Sequence, residues 1–266
     1  MNILVIGAGN MGLTYAEGIS KSKLLNSKKI MILDTSEEKL KELQQISHFE
    51  AFRELKDCVP QADVIFIAVK PYHAESVFNA IKPLANPEQI VISIMAGVTI
   101  ASIKKFTGLT KIVRAMPNLP AKIGKGLTSF VVSPEVSSIE MSTVENLLNT
   151  TGKSLQVSNE NFIDASTGIS GSGPAYVFYF MQSMMDAAIE MGFSKSDSTL
   201  LVSQTFLGAV ELFNRSDISA NAWMDMVASK GGTTRAALDS MENNNVNKLI
   251  KEAAFAAFNR AIELGK

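Results

Sequence analysis

Gly7-Ala8-Gly9-Asn10-Met11-Gly12 stands directly behind the apolar run Ile3-Leu4-Val5-Ile6 and opens a helical pattern. Glycines at this spacing between a strand and a helix suit the holding of phosphate. Gly7 permits a tight turn, Gly9 lets backbone approach a pyrophosphate, and Gly12 lets the helix pack closely. The unpaired N–H groups of the helix start, at Asn10 and Met11, then face the negative charge. Without a ligand, the same residues would make an ordinary strand-to-helix turn. Asp34 ends the second apolar run, 22 residues after Gly12. A carboxylate there accepts hydrogen bonds from a ribose 2′-hydroxyl and repels a 2′-phosphate, so the residue leans toward NADH over NADPH. Thr35 and Ser36 offer hydroxyls to a phosphate instead, Lys39 is the nearest cation in sequence, and Asp34 would also serve as a helix N-cap.

Three further segments fall where parallel strands end, the edge at which open α/β sheets bind ligands. Ala68-Val69-Lys70-Pro71 follows the third strand run, and its lysine and rigid proline would border the cofactor. Met95-Ala96-Gly97 sets small residues beside it after the fourth run. Arg114-Ala115-Met116-Pro117-Asn118-Leu119-Pro120 follows the fifth, where Asn118 would fix a nicotinamide amide or a substrate, or simply shape the turn.

Two motifs lie further on. Thr167 to Tyr176 packs three glycines, three hydroxyl side chains besides Tyr176, and Pro174 into ten residues, which reads as a break between helices or as a helix start. It fails as a nucleophile elbow, because Gly168-Ile169-Ser170-Gly171-Ser172 ends in serine. With only His48 and His73 available, a Ser-His-acid hydrolase is a poor fit. Ser229-Lys230-Gly231-Gly232-Thr233-Thr234 precedes a helix and offers backbone N–H groups and hydroxyl caps, a cradle for a small carboxylate. An ordinary capped helix start is the plainer reading.

The elements that must position these residues are legible from periodicity. Runs at 3–6, 29–33, 64–69, 90–95 and 111–115 are short, apolar on both faces and spaced for crossover connections. Helical patterns at Leu13–Lys21, Glu37–Ile46, Ala74–Ile81 and Ile100–Phe106 separate them. Leu127–Val132 and Ser154–Val157 read as further strands flanking a helix at Ser138–Leu148. After about residue 160 helices dominate, at 174–191, 195–213, 219–228, 234–242 and 246–264. The expected fold is α/β: a Rossmann-type parallel-sheet domain over residues 1–159, then an all-α domain over 160–266. The helix at 174–191 is apolar nearly all round, and a second subunit is expected to cover it.

Composition narrows the field. The chain has 266 residues, 46% of them hydrophobic, and a formal net charge of −1, which gives no electrostatic footprint for nucleic acid or an anionic membrane. Its single cysteine, Cys58, forms no internal disulfide, and no Cys/His cluster has zinc spacing, so no metal is expected. No signal-like or membrane-spanning stretch is evident, which makes the cytoplasm the expected location.

Together the glycine loop, Val69-Lys70-Pro71, Arg114-Ala115-Met116-Pro117-Asn118, Ser170-Gly171-Ser172-Gly173-Pro174-Ala175-Tyr176 and Gly231-Gly232-Thr233-Thr234 resemble the pyrroline-5-carboxylate reductases, which make proline from its cyclic imine. The resemblance spans nearly the whole chain. It implies a Rossmann domain with NADH or NADPH as hydride donor, and a helical domain that interlocks with a partner subunit. It implies an active site between the cofactor crevice of one chain and helices of the dimer. On this resemblance the loop from Ser229 to Thr234 holds the substrate carboxylate, with Gly231, Gly232 and Thr233 contributing, and Thr234 reaches the ring nitrogen. Thr234 and Ser229 become the candidate catalytic residues, and Val227 a pocket wall. A protonated imine is already electrophilic, so positioning its carbon matters more than acid–base machinery.

Three residues depart from the family's common pattern: Lys230 in place of proline, Leu119 in place of threonine, and Asp34-Thr35 where phosphate-binding members often carry Asn-Arg. The last favours NADH. Other readings are a reductase of a different cyclic imine and a β-hydroxyacid dehydrogenase, although 174–191 lacks the lysine that such dehydrogenases place there. A methyltransferase would leave the helical half unexplained. A nucleotide-binding sensor without turnover would not need the intact Gly231-Gly232-Thr233-Thr234.

Overall fold

A computed structural model describes residues 1–22 and 29–265. Eight strands form one sheet: β1 Ile3–Ile6, β2 Ile30–Leu33, β3 Phe49–Phe52, β4 Val64–Ile67, β5 Ile90–Ser93, β6 Ile112–Met116, β7 Gly126–Val132 and β8 Gly152–Gln156. Their order is β3-β2-β1-β4-β5-β6-β7-β8. Every neighbouring pair is parallel except β6 with β7. The first six strands follow the doubly wound order, whose reversal between β1 and β4 opens the crevice used for nucleotides.

Alternation along the strands builds two cores. Ile3 and Val5 of β1 face one cluster with Tyr15, Ile19, Phe66 and Leu147, while Leu4 and Ile6 face another with Phe78, Ile81 and Ile103. The covering helices are α1 Asn10–Lys21, α2 Glu37–Gln44, α3 Leu55–Cys58, α4 Ala74–Ile81, α5 Ile100–Thr107 and α6 Ser138–Leu148. Local chemistry sets their starts. Ser36 and Thr99 cap α2 and α5, and Ser137 with Glu140 forms a reciprocal capping box on α6.

The sequence expectations differ from the structure in several places. β3 was not expected, because four residues containing Glu50 carry too little apolar signal; it forms by pairing along β2, with Leu33 opposite Phe52. α1 begins at Asn10 rather than Leu13, directly on the glycine loop. Behind β8 lies a further helix, α7 Glu160–Ser166, which continues into a π-helical turn, Thr167–Gly171. This segment is tied to the sheet. Buried Arg114 of β6 reaches Glu160 Oε1 at 3.1 Å and Asp164 Oδ1 at 2.5 Å, and Ser166 Oγ meets Ser129 Oγ at 2.6 Å.

By contacts the chain divides into two compact units, one comprising Met1–Ser172 with the segment from Ala257, the other Gly173–Ala256. The expected division at 159/160 falls just behind the last strand, and the ion pairs of Arg114 carry residues 160–172 with the sheet. The helices of the second half are α8 Gly173–Glu190, α9 Lys195–Asn214, α10 Ala220–Val227, α11 Thr233–Asn243 and α12 Val246–Leu264, the last running into the first unit's segment. None of the described residues of α8, α10 or α11 is buried. Phe178 is 58% exposed and Tyr179 75%, far from the state of such side chains in a finished core. Among the described residues no helix is long and apolar enough to cross a membrane.

Candidate functional site

Backbone demands at the glycine loop explain its composition. Gly7 takes φ +102°, and a Cβ there would lie 2.8 Å from the Ala68 carbonyl oxygen of the neighbouring strand end. A Cβ on Gly12 would sit 2.0 Å from the Gly7 oxygen, so α1 leaves the loop with no room for a side chain. Gly9, by contrast, has nothing within 4 Å of its Cβ position and N-caps α1 with no side-chain cap. The helix start therefore presents bare backbone N–H groups of Asn10, Met11 and Gly12 beneath an open approach. That is the donor set a pyrophosphate needs.

Asp34 faces this loop from the end of β2. Its Oδ2 accepts from Ala8 N at 2.7 Å, and its Oδ1 from Ser36 N at 2.9 Å. The cap of α2 is Ser36, which accepts from Lys39 N at 3.4 Å, so Asp34 is not the N-cap. Thr35 is exposed beside it. The carboxylate thus pins the phosphate loop to the strand edge where a ribose would lie.

The remaining expected cofactor residues divide. Lys70 and Pro71 are exposed at the rim behind β4, with Ala68 and Val69 lining the side that faces Gly7. Met95 belongs to the core and is 3% exposed, because its side chain joins the cluster around Phe78 and Ile103. Gly97 is buried at φ +74°, where a Cβ would meet the Leu264 carbonyl oxygen at 2.6 Å; that contact alone requires glycine. Ala96 between them is half-buried. Asn118 spends both ends of its amide internally, donating to Ser170 Oγ at 3.1 Å and accepting from Leu127 N at 2.9 Å. It ties the loop after β6 to the π-helical turn.

The second cradle lies between α10 and α11. Gly231 takes φ +71°, Gly232 N-caps α11, and Gly232 N donates to Ser229 O at 3.0 Å. A Cβ on Gly232 would lie 2.6 Å from Ser229 Oγ. The expected hydroxyl caps from Thr233 and Thr234 are absent: both residues are already inside α11, so their hydroxyls have moved past the cap position. The first-turn N–H groups are left to an external acceptor. Arg235 Nη2 reaches Asp225 Oδ1 at 3.6 Å and braces the first turn of α11 against α10, while Val227 is exposed beside the loop. Lys230 is also exposed there.

Arg53 is the residue that sequence reasoning missed. The pairing of β3 with β2 carries it to the end of β2, where with Thr35 and Lys56 it lines a cavity of about 350 Å³ floored by Ile6, Leu33 and Val77. The weak alternation Phe49-Glu50-Ala51-Phe52 was the only available signal. Among the described residues no group of three or more His, Cys, Asp or Glu side chains is placed to hold a metal ion. Cys58 is buried, and its desolvated thiol is pushed up to about 11, far from a reactive thiolate.

Comparison with known proteins matches both halves. The family model described as pyrroline-5-carboxylate reductase dimerisation covers residues 160–264, and that described as NADP oxidoreductase, coenzyme F420-dependent, covers 2–97. The chain is 33% identical to a pyrroline-5-carboxylate reductase of Pseudomonas aeruginosa, over 99% of this chain and 97% of that one. A pyrroline-5-carboxylate reductase structure from Coxiella burnetii superposes with a TM-score of 0.92 at 33% identity, covering 100% of this chain and 98% of the other. The Plasmodium falciparum enzyme, solved with NADP bound, gives 0.89 at 30% identity, with 100% and 98% coverage.

Proposed function

The chain belongs to the pyrroline-5-carboxylate reductase family, and we propose that it reduces 1-pyrroline-5-carboxylate to L-proline with a reduced nicotinamide dinucleotide. The observation that carries this reading is the pair of glycine-led, uncapped helix N-termini, at α1 and α11, in one chain similar to these reductases from end to end. One suits the dinucleotide phosphates and the other a small carboxylate.

The bound cofactor supplies the hydride, and the chain's residues do the rest. The N–H groups of Asn10, Met11 and Gly12 hold the pyrophosphate. Asp34 faces the adenosine ribose and biases the choice toward NADH, with Thr35 and Ser36 beside it. Lys70 and Pro71, with Ala68 and Val69, border the cofactor, and Ala96 lines its edge. In the second cradle the substrate carboxylate accepts from the backbone at Gly231 and Thr233, while Gly232, whose N–H already donates to Ser229 O, shapes the turn between them, flanked by Val227 and Ser229. Thr234 directs its hydroxyl to the ring nitrogen. As the hydride reaches C5, the C=N electron pair moves to that nitrogen, which is already protonated and becomes the neutral amine of proline. No side chain has to exchange a proton with carbon. Positioning is then the main contribution of the protein.

We further propose that the working form is a homodimer or a larger homo-oligomer, in which a second copy covers the apolar faces of α8 and α9, and that it acts in the cytoplasm. The exposure of Phe178, Tyr179 and Leu200 supports the first point.

The test is the initial rate of NADH and NADPH oxidation with 1-pyrroline-5-carboxylate, for the native chain and for Thr234→Ala. Turnover is expected with the native chain. The variant should lose roughly ten- to a hundredfold in kcat/KM while its dinucleotide Kd stays within about twofold, the size of one charge-assisted hydrogen bond. Dinucleotide binding without turnover would mean that the α11 cradle serves another molecule.

A further inference from the structure

One stripe of α1 faces a cavity that the reaction does not use. Asn10, Leu13, Thr14, Glu17, Gly18 and Lys21 recur at helical spacing, and opposite them stand the 3₁₀ segments Leu119–Ile123 and Asn149–Thr151. The space between is about 510 Å³, the size of a small-molecule site. Of the residues assigned above to the cofactor, only Asn10 borders it. A Cβ on Gly18 would lie 3.0 Å from the Thr150 carbonyl oxygen and from Thr151 Cγ2, so the floor is closed by α1 and 149–151 at tight contact. Gly124 turns at φ +69° with nothing within 4 Å of its Cβ position, which leaves the mouth open beside Lys122.

The lining divides by chemistry. Thr14 Oγ1 donates to Asn10 O at 2.7 Å, and Thr150 Oγ1 to Leu147 O at 2.7 Å. Each hydroxyl has spent its proton and meets a ligand only as an acceptor. Glu17 is a further acceptor. It pairs with Lys21 at 3.2 Å, but both side chains are exposed, and such an i,i+4 pair is weak enough to open toward a ligand. Lys122 is exposed and has no ion pair among the described residues. Both walls therefore carry a cation, with acceptors between them. A bare anion would leave the acceptors facing negative charge, and a bare cation would meet the lysines; a molecule carrying both a carboxylate and an ammonium group satisfies the two sets together.

We propose that this cavity is a regulatory site for a small zwitterionic α-amino acid, whose carboxylate pairs with Lys122 and Lys21 and whose ammonium group meets Glu17, Thr14 and Thr150. The bound molecule bridges α1 to the loop behind β6 and steadies the helix whose first N–H groups meet the dinucleotide. It therefore strengthens dinucleotide binding, and the dinucleotide strengthens amino-acid binding by the same factor. The site stands apart from the reductase reading; the coupling rests on that reading's assignment of α1 to the dinucleotide.

The test titrates the native chain by calorimetry with glycine, L-alanine, L-serine, L-proline and L-glutamate, and with acetate and methylammonium as single-charge controls. At least one amino acid is expected to bind with a Kd of about 1 mM or tighter, and each control roughly tenfold more weakly. Lys122→Glu should weaken that binding about tenfold or more, and Lys122→Arg should retain it. Thr14→Val keeps the shape without the acceptor and should cost about threefold or more. The NADH Kd, read from nicotinamide fluorescence, should fall about threefold at saturating amino acid in the native chain and stay unchanged in Lys122→Glu. The α11 cradle also takes a carboxylate, so the same titration is run on Thr234→Ala. Binding that Thr234→Ala weakens and Lys122→Glu leaves intact belongs to that cradle and overturns the proposal. So do the absence of binding at about 10 mM, acetate binding as tightly as the amino acids, and an NADH Kd indifferent to them. Failure of the native chain to bind NADH overturns the reductase reading and the coupling together, and the amino-acid titration then decides the site by itself.

Discussion

The sheet half and the helical half of this chain obey opposite rules of burial. In β1, β2, β4 and β5 every residue is buried, and the helices over them close two apolar clusters. In α8, α10 and α11 no described residue is buried, although α8 is among the most apolar segments in the sequence. The first half has an interior of its own. The second has the composition of an interior without its geometry, which is how an obligate interface appears when one copy is considered alone.

The largest expected effect tests that contrast directly. Phe178→Asp places a charge on the apolar face of α8. If a second copy covers that face, the charge must be buried unpaired, and assembly should fail. We expect the molar mass from light scattering to fall to that of one chain, and turnover to drop by on the order of a hundredfold or more. Dinucleotide binding, which we assign to the sheet half, should persist within about threefold and separates lost assembly from general unfolding. An unchanged mass with full activity would break the comparison and make α8 an exposed surface.

The same contrast explains what was legible beforehand. Parallel strands read easily because both faces are covered, so Ile3–Ile6 and Val64–Ile67 are unbroken apolar runs. The glycine loop was legible because each glycine has its own reason: a side chain is excluded at Gly7 by a positive φ beside the Ala68 carbonyl and at Gly12 by the Gly7 oxygen, while Gly9 leaves the approach to the helix start open. β3 was not, because four residues with Glu50 among them leave only a weak alternation. The helix Glu160–Ser166 also escaped: Glu160 and Asp164 look like solvent-facing acids until Arg114 is known to be buried opposite them. Met95 and Gly97 sit where a motif would place cofactor contacts; there the Met95 side chain packs into the core, and the space a Gly97 side chain would need is taken by the Leu264 carbonyl. Position along a strand end gave the neighbourhood; only packing says which side chain faces out.

Arg114 sharpens the comparison, since it extends the sheet half's interior to α7. Its side chain is 2% exposed between Glu160 and Asp164, and Glu160 Oε1 also accepts from Ile100 N at 2.9 Å. Arg114→Met keeps the volume but leaves two carboxylates partly buried without their cation. The cost should be about 3 kcal/mol, read as a lower urea midpoint for the unfolding of the sheet half. Glu160→Gln with Arg114 intact should cost less, because Asp164 still pairs. A surface-sized change for Arg114→Met, below about 0.5 kcal/mol, would mean that α7 is held by its apolar contacts alone.

The smallest effect concerns the acid limb of the stability curve. Lys111 donates to Glu140 at 2.8 Å, and Ser137 donates to the same carboxylate through its backbone and hydroxyl. These contacts push the Glu140 carboxyl down from 4.5 to about 2. A carboxylate held low in the folded state contributes stability that is fully present above its unfolded value and fades as pH falls toward the folded one. The contribution should therefore be lost between about pH 4.5 and pH 2. Glu140→Gln keeps much of the capping box but removes the titration, so its urea midpoint should change less steeply across that window than that of the native chain. The group lies near the surface, where solvent and salt screen the pair, so the difference should shrink in high salt. It should be confined to the sheet half: the exposed side chains of α8 are largely apolar, and the assembly we propose through that face should not follow the titration of Glu140. A variant that altered the assembly midpoint over the same pH range would join the two halves energetically and undo the separation drawn between them.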